Sequence, residues 1–323
     1  MTAWYRCPTP AFGDDMSERL IWRDGKFIAW DEATVHVLSQ SLQRGSLAFD
    51  YVSVRETIRG VAVFRLRDHV ERLLTTCRIV GLPLAWGADE LIEACADAVR
   101  HNPGATSIKI SALIPSVEVE LVPQDPRVAV FIAAYDSATD IIAKNPGELR
   151  RRQTLSLKVE RDKSGRREDV IPPHAKVAAS YTAPMTAKWK ARREGYDDVI
   201  LLDEHGHVAE APTMNLFVVD EAGELLTPEG DRVLLGITRS SVMGIADAEG
   251  LTCRETPLTE AALKSAREVF LTGTSVGVWP VVRIDNEPVG DGAPGPTTAR
   301  LAGRYRAIVA GEDPAFDHWL HFV

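Results

Sequence analysis

The segment RDHVERLLTTCRIVG (67–81) repeats apolar side chains at 70, 73, 74, 77 and 80 and then reaches Gly81. That spacing predicts an amphipathic helix with a glycine stop. ADELIEACADAVRHN (88–102) repeats the pattern and ends before Pro103. Elsewhere the period shortens to two. LIWRDGKFIAW (20–30) predicts two strands about Asp24-Gly25, and YVSVRETIRGVAVFRL (51–66) a second hairpin turning at Arg59-Gly60. SIKISALIP and RVAVFIAAY also read as strands, so residues 20–135 predict a small, closed α+β domain.

Periodicity lapses over DSATDIIAKNPGEL (136–149), which predicts an interdomain linker. Alternation resumes at RQTLSLKVE, and residues 150–323 predict a second, larger domain. Its helices are expected at TAPMTAKWKARREG, TRSSVMGIADAEG and GPTTARLAGRYRAIVAG. Its strands are expected along DDVILLDEHGHVAEAPTMNLFVVDEAGELLTP and AREVFLTGTSVGVWPVVRIDNEPVG. Residues 1–19 predict an irregular extension. The fold class is therefore α/β, built of two α+β lobes.

Length, at 323 residues, exceeds what one core usually supports and favours two lobes. The net charge of −9 argues against a nucleic-acid or membrane-surface role, both of which need positive potential. Cys7, Cys77, Cys95 and Cys253 lie too far apart for zinc or redox spacing, and no metal site is expected. The opening MTAWYRCPTPAFGDDM has no apolar core, so no signal peptide is expected and the cytoplasm is the expected compartment.

Against that ordinary background IPPHAKVAASYTAPM (171–185) is odd, with Lys176 set among small apolar residues. A lysine there either snorkels to water or offers its amine as a nucleophile made available by desolvation. The second reading needs an anion site and an acid nearby. LLGITRSSV (234–242) puts Gly236 before a helix start, where the amides of Ile237 and Thr238 suit a phosphate; alternatively Thr238 only caps the helix. Thr274 and Ser275 in FLTGTSVGVWP offer hydroxyls at a strand end, or form a polar turn. Arg65 offers a guanidinium fork, or a salt bridge to Asp68 or Glu71. Glu210 is a carboxylate in an apolar strand and needs a cation or donor. Dinucleotide, P-loop and nucleophile-elbow motifs are absent. His205 and His207 flank a turn glycine and read as solvent-exposed, and RRR at 150–152 as a solvated or substrate-facing charge run.

Taken in order over roughly residues 20–300, these segments resemble the class IV pyridoxal-phosphate enzymes, of fold type IV. VFRLRDHVERL, KVAASY, ARREGYDDVILLDEHGHVAEAPTMNLFVV, LLGITR and FLTGTSVGVWPV are most similar to the branched-chain aminotransferases. The resemblance implies a two-lobed homodimeric enzyme with its site between the lobes and pyridoxal 5'-phosphate held by the larger domain. It implies that Lys176 is the Schiff-base and proton-shuttling lysine and that Glu210 pairs with the pyridine nitrogen. Arg65, Ile237, Thr238, Thr274 and Ser275 would form the phosphate cup, Tyr181 would lie beside the phenolic oxygen and Leu234 on the ring face. The implied reaction is ping-pong transfer of an amino group from an amino acid or primary amine to a 2-oxo acid. A lyase of the same fold, resembling aminodeoxychorismate lyase, and a non-catalytic cofactor-binding protein are the alternatives.

The departures concern the substrate. Ile110 aligns with the position where branched-chain enzymes carry a carboxylate-reading arginine, and the following loop, PSVEVELVP, is acidic. Arg44 stands where those enzymes have an aromatic residue; it is either an alternative carboxylate clamp or a surface arginine. Phe49 and Tyr51 are expected pocket walls. Branched-chain, (R)-amine and D-amino-acid specificities all stay open.

Overall fold

The computed structural model describes residues 18–143, 152–164 and 167–323, apart from the side chains of 163 and 164. Residues 1–17 of the N-terminal extension, Cys7 among them, residues 144–149 of the linker expected at 136–149, and Arg150 and Arg151 lie outside the described residues. The chain runs β1 (Leu20–Arg23), β2 (Lys26–Ala29), α1 (Gln40–Arg44), β3 (Ala48–Thr57), β4 (Gly60–Phe64), α2 (Leu66–Ile79), α3 (Ala88–Arg100), β5 (Ser107–Leu113) and β6 (Ala129–Tyr135). A turn of π-helix (Ser137–Ile142) leads on to β7 (Leu155–Ser164), α4 (Thr182–Arg193), β8 (Asp198–Leu202), β9 (Glu210–Ala211), β10 (Met214–Val219) and β11 (Leu225–Thr227). The rest comprises α5 (Ile237–Ala248), β12 (Cys253–Glu255), α6 (Glu260–Lys264), β13 (Glu268–Gly273), β14 (Gly277–Ile284), β15 (Glu287–Pro288), α7 (Pro296–Val309) and β16 (Leu320–Phe322).

These strands form two sheets. The first has the order β16-β4-β3-β5-β6-β1-β2; the second has β12-β11-β10-β13-β14-β7-β8 with β9 and β15 paired at its margins. Six strands of the first sheet come from residues 20–135, and the seventh is β16, where Leu320 pairs with Phe64. The sequence reading leaves residues beyond the last helix without an element. A three-residue strand following a short 3-10 turn carries no periodicity to read.

Strand alternation decides what the first sheet buries. Val52 and Val54 of β3 and Ile108, Ile110 and Ala112 of β5 point to one face and pack under α2 and α3 with Val70, Leu73, Leu91 and Cys95. Cys77 and Cys95 are buried there, as small apolar residues in helical patterns should be. Phe49, Tyr51, Ser53 and Arg55 point to the other face, toward the second sheet. β8, β10 and, up to Thr272, β13 are buried throughout and so read as continuous apolar runs rather than alternating ones. Helices cover that sheet on both sides. Between the sheets, Ala62, Phe64 and Leu320 of the first pack with Phe217 and Phe270 of the second and with Ile245, Leu301 and Tyr305 of α5 and α7. This shared cluster joins the lobes and fixes the gap beside it.

Candidate active site

Lys176 lies in that gap and is held by the backbone of the opposite lobe. Phe49 donates its amide to the Lys176 carbonyl at 3.1 Å, Ala178 to Leu47 at 2.9 Å and Ala179 to Gly45 at 3.1 Å. Val177 bridges antiparallel to Ala48 and the chain then turns into a 3-10 helix (Ala178–Tyr181), so KVAA is laid along the start of β3. This explains the small apolar residues around the lysine. At Gly45, where φ is +70°, an added Cβ would come within 3.2 Å of the Ala179 Cβ. The Lys176 amide is taken by the buried Thr76 hydroxyl of α2 at 3.1 Å. The backbone is thus fixed while the amine is left to project. Its Nζ donates to the Tyr181 hydroxyl at 2.9 Å and stands 4.9 Å from the centre of the Phe49 ring.

Across the cleft from Lys176 is Glu210, buried on the two-residue strand β9. Its Oε2 accepts from Asn215 Nδ2 at 3.0 Å and from the Leu234 amide at 3.2 Å. Asn215 also donates to the Leu234 carbonyl at 2.8 Å, so one amide side chain ties the carboxylate to the loop before α5. Gly236, the residue before that helix, is required sterically, since a Cβ there would fall 2.0 Å from Asn215 Oδ1. Next come Ile237 and Thr238, the first two residues of α5, whose amides have no acceptor within the helix and no side-chain cap. Thr272 of β13 faces the same cleft, and its buried hydroxyl has no partner among the described residues. Thr274 lines the cleft too.

The structure therefore brings Lys176, Tyr181, Glu210, Leu234, Ile237, Thr238 and Thr274 to one cleft, with Phe49 beside the lysine. Arg65 reaches α5 from outside. It forks onto Asp68 at 2.9 and 3.0 Å, and its Nη1 donates to Ser240 at 2.8 Å, Ser241 at 3.0 Å and more distantly to the Ile237 carbonyl. It bridges lobe one to the helix start, from a backbone at φ +50°. Ser275 lies outside this cleft and lines the larger cavity beside it. Tyr51 lines that cavity as well, its hydroxyl bonded to Ser107 and Ser137.

Arg44 is not brought to Lys176 within the chain. It is exposed at the end of α1 and donates to the Val119 carbonyl at 3.2 Å. Ile110 is fully buried on the helix-packed face of β5, remote from the site. The residue of β5 that faces the site is its neighbour Lys109, whose Nζ stands 4.0 Å from the centre of the Phe49 ring. A shift of one residue along a strand exchanges the faces, so the β5 position on the Lys176 side is a lysine and not Ile110. Burial, and then the charge of Lys176, lowers the Lys109 pKa.

Behind the site is a buried cluster absent from the sequence reading. Asp50, fully buried on β3, accepts from Arg72 Nε and Nη2 at 2.8 Å each, and lies 2.7 Å from His69 Nδ1. Burial raises the Asp50 pKa, but Arg72 and His69 outweigh it and hold the carboxyl well below the usual range. Burial also lowers the His69 pKa despite Asp50. The imidazole is therefore neutral and contributes an Nδ1–H hydrogen bond rather than a charge. Arg72 then crosses the gap, donating to the Leu235 carbonyl at 3.0 Å. Arg72, Thr76, Asn215 and Thr272 could have been found only from pairings between distant segments.

Among the described residues no group of three His, Cys, Asp or Glu side chains could hold a metal, and no helix is long and apolar enough to cross a membrane. His205 and His207 have exposed side chains at their turn. The family model "Amino-transferase class IV" matches residues 48–284. The chain is 32% identical to the branched-chain-amino-acid aminotransferase of Escherichia coli (strain K12) over 306 residues, covering 94% of this chain and 97% of the relative. It is likewise 32% identical over 305 residues to that of Pseudomonas aeruginosa, covering 94% and 97%. Its fold matches the branched-chain aminotransferase from the thermophilic archaeon Thermoproteus uzoniensis, solved with norvaline, with a TM-score of 0.85, 32% identity and coverage of 94% and 98%. These likenesses span both lobes and every element of the Lys176 cleft, and the chain belongs to the class IV aminotransferases.

Proposed function

We propose that the protein is a pyridoxal 5'-phosphate-dependent aminotransferase that moves an amino group from an amino acid to a 2-oxo acid in two half-reactions. The observation that carries the reading is the pairing across one cleft of a lysine amine, fixed by the other lobe's backbone, with a buried carboxylate and an uncapped helix start. The cleft fits the cofactor: free amides and the orphaned Thr272 hydroxyl suit its phosphate, and Glu210 suits a protonated pyridine nitrogen. Arg65, Ile237, Thr238 and Thr274 would hold the phosphate end and Leu234 the ring face; Ser275 would border the phosphate from the adjoining cavity. When bound, the cofactor supplies an electron sink for charge developing at the substrate α-carbon.

The chain's own residues do the rest. Lys176 carries the proton to and from that carbon, since its amine is tethered in the gap and has a hydroxyl partner in Tyr181. Tyr181 orients the amine and would offer its hydroxyl to the phenolic oxygen of the bound cofactor. Glu210, itself positioned by Asn215 and the Leu234 amide, would face the pyridine nitrogen of the bound cofactor. Phe49 walls the reacting centre and excludes water on one side. Lys109, over the far reach of that ring and without a carboxylate partner among the described residues, meets a substrate carboxylate. The substrates are then acids, as the names of the branched-chain relatives also suggest.

The working unit is a homodimer. Val37, Leu38, Leu42, Val117, Val119, Leu121 and Val122 form an exposed apolar group around α1 and the loop after β5, with Val119 90% exposed. A patch of that kind marks an interface. A cytoplasmic setting fits Cys77, Cys95 and Cys253, all of them free thiols.

The test is spectroscopic. Purified protein supplied with pyridoxal phosphate should take on a visible absorption band that bleaches with an amino-acid donor and returns with a 2-oxo acid. Lys176→Ala should lack both the band and turnover. Bleaching with release of pyruvate and no return on adding oxo acid would favour the lyase reading. Failure to take up cofactor would overturn the proposal.

A further inference from the structure

Lys176 is held by the first lobe and Glu210 by the second, and one side chain spans the two supports. Arg72 of α2 is 11% exposed and lines the Lys176 cleft. Its Nε and Nη2 fork onto Asp50 at 2.8 Å each, and its Nη1 crosses to the Leu235 carbonyl at 3.0 Å. Both ends of that bridge are anchored. In the first lobe, Asp50 follows Phe49, whose amide holds the Lys176 carbonyl at 3.1 Å. About one turn beyond Arg72 on α2, the Thr76 hydroxyl takes the Lys176 amide at 3.1 Å. In the second lobe, Leu235 follows Leu234, whose amide donates to Glu210 Oε2 at 3.2 Å and whose carbonyl accepts from Asn215 at 2.8 Å. Arg72 therefore joins the backbone that carries the lysine to the loop that holds the carboxylate.

Neutralising the buried Asp50 accounts for only one edge of the guanidinium. A planar fork seated on a carboxylate has no rotational freedom left, so Asp50 also dictates where Nη1 points. It points at a carbonyl that packing does not hold, since the Leu235 side chain is 44% exposed. Two groups from different lobes must meet one flat ring in fixed relation, and a misplacement of about 1 Å can cost about 100-fold in rate. We propose that Arg72 is a positioning residue which, through the Leu235 carbonyl, holds the seat formed by Leu234 and Glu210 at a fixed distance and tilt from Lys176. This rests on the aminotransferase reading and adds to it a residue that acts through another.

Arg72→Lys tests the assignment, because it keeps a charge beside Asp50 but cannot hold the carboxylate and the Leu235 carbonyl in one geometry. In the holoenzyme kcat should fall about 10- to 100-fold, with KM for the amino donor within about threefold. Asp50→Leu with Arg72→Met removes both buried charges together and should fold, yet kcat should stay low because neither side chain can donate to Leu235. A second readout needs no turnover: the visible circular dichroism of bound pyridoxal phosphate, divided by its absorbance. A chromophore without chirality of its own takes that signal from a fixed, asymmetric seat, so both variants should lose most of it. Leu73→Ala, beside Arg72 in α2 and buried in the core of the first lobe, is the structural comparator. It should lower the melting temperature and leave kcat and the dichroism within about twofold. An Arg72→Lys kcat within about twofold of wild type, unchanged dichroism in either variant, or an equal loss in Leu73→Ala would overturn the proposal. A wild type with no visible band for an amino donor to bleach would instead overturn the aminotransferase reading, which separates the two failures.

Discussion

Replacing Asp50 by asparagine keeps its shape and removes the charge that Arg72 and His69 converge on. The carboxylate is fully buried and accepts two arginine hydrogen bonds at 2.8 Å, one from the Tyr51 amide at 2.8 Å and one from His69 at 2.7 Å. The asparagine NH₂ would meet donors on one side, and Arg72, only 11% exposed, would lose its counter-ion. Breaking such a pair from one side costs about 3–5 kcal/mol, a large part of the roughly 5–15 kcal/mol that holds a domain together. Urea unfolding at pH 7 measures it directly. Asp50→Leu combined with Arg72→Met should recover much of the loss, since a matched apolar pair leaves no buried charge. The sign with pH follows from the depressed folded pKa. The Asp50 contribution is complete above the ordinary aspartate value near pH 4 and is lost only as pH falls through the folded value below it, so the penalty should persist from pH 8 to pH 5. A loss under about 1 kcal/mol, or a double variant that costs the sum of the singles, would refute the reasoning.

Gly236→Ala drives a methyl onto Asn215 Oδ1 and should cost about 1–3 kcal/mol by overpacking; it should also weaken pyridoxal phosphate binding, read by titration of the visible band. Glu210→Gln keeps the hydrogen bonds to Asn215 and Leu234 in part but removes the charge; kcat should fall by about two orders of magnitude or more while the protein still takes up cofactor. His69 is buried and held neutral, so the unfolded chain binds the extra proton first. Stability should therefore fall as pH drops below about 6.5, by at most about 1.4 kcal/mol per unit, and His69→Gln should flatten that slope in melting experiments from pH 7 to pH 5.

The long elements were legible because each repeats one period over many residues, as in α2, α3 and the β3–β4 hairpin. Lys176, Glu210 and the helix start at Ile237 were legible because each breaks its local pattern: an ammonium among alanines, a carboxylate in an apolar strand, a glycine ahead of a helix. Asn215 and Thr272 break nothing. Both sit in strands buried on both faces, where hydroxyls and amides pass as minor interruptions, and only the pairing of β10 with β13 brings them to the cleft. Arg72 reads as a solvated helix position until Asp50 is placed behind it. The slip between Ile110 and Lys109 has a similar origin, since a strand tolerates no error in register and sequence alone supplies no ruler for it.

β16 adds a temporal dimension to this architecture. Its partner β4 is made early, yet the pairing of Leu320 with Phe64 awaits residues almost the whole chain away. While the chain grows, β4 presents an open strand edge to the cell, and the apolar seam between the lobes stays incomplete until α7 and Leu320 have emerged. The nascent first lobe is therefore a natural client for chaperones. The site that lies beside that seam is assembled last, so a ribosome-bound fragment lacking β16 would have Lys176 and still have no settled cleft around it.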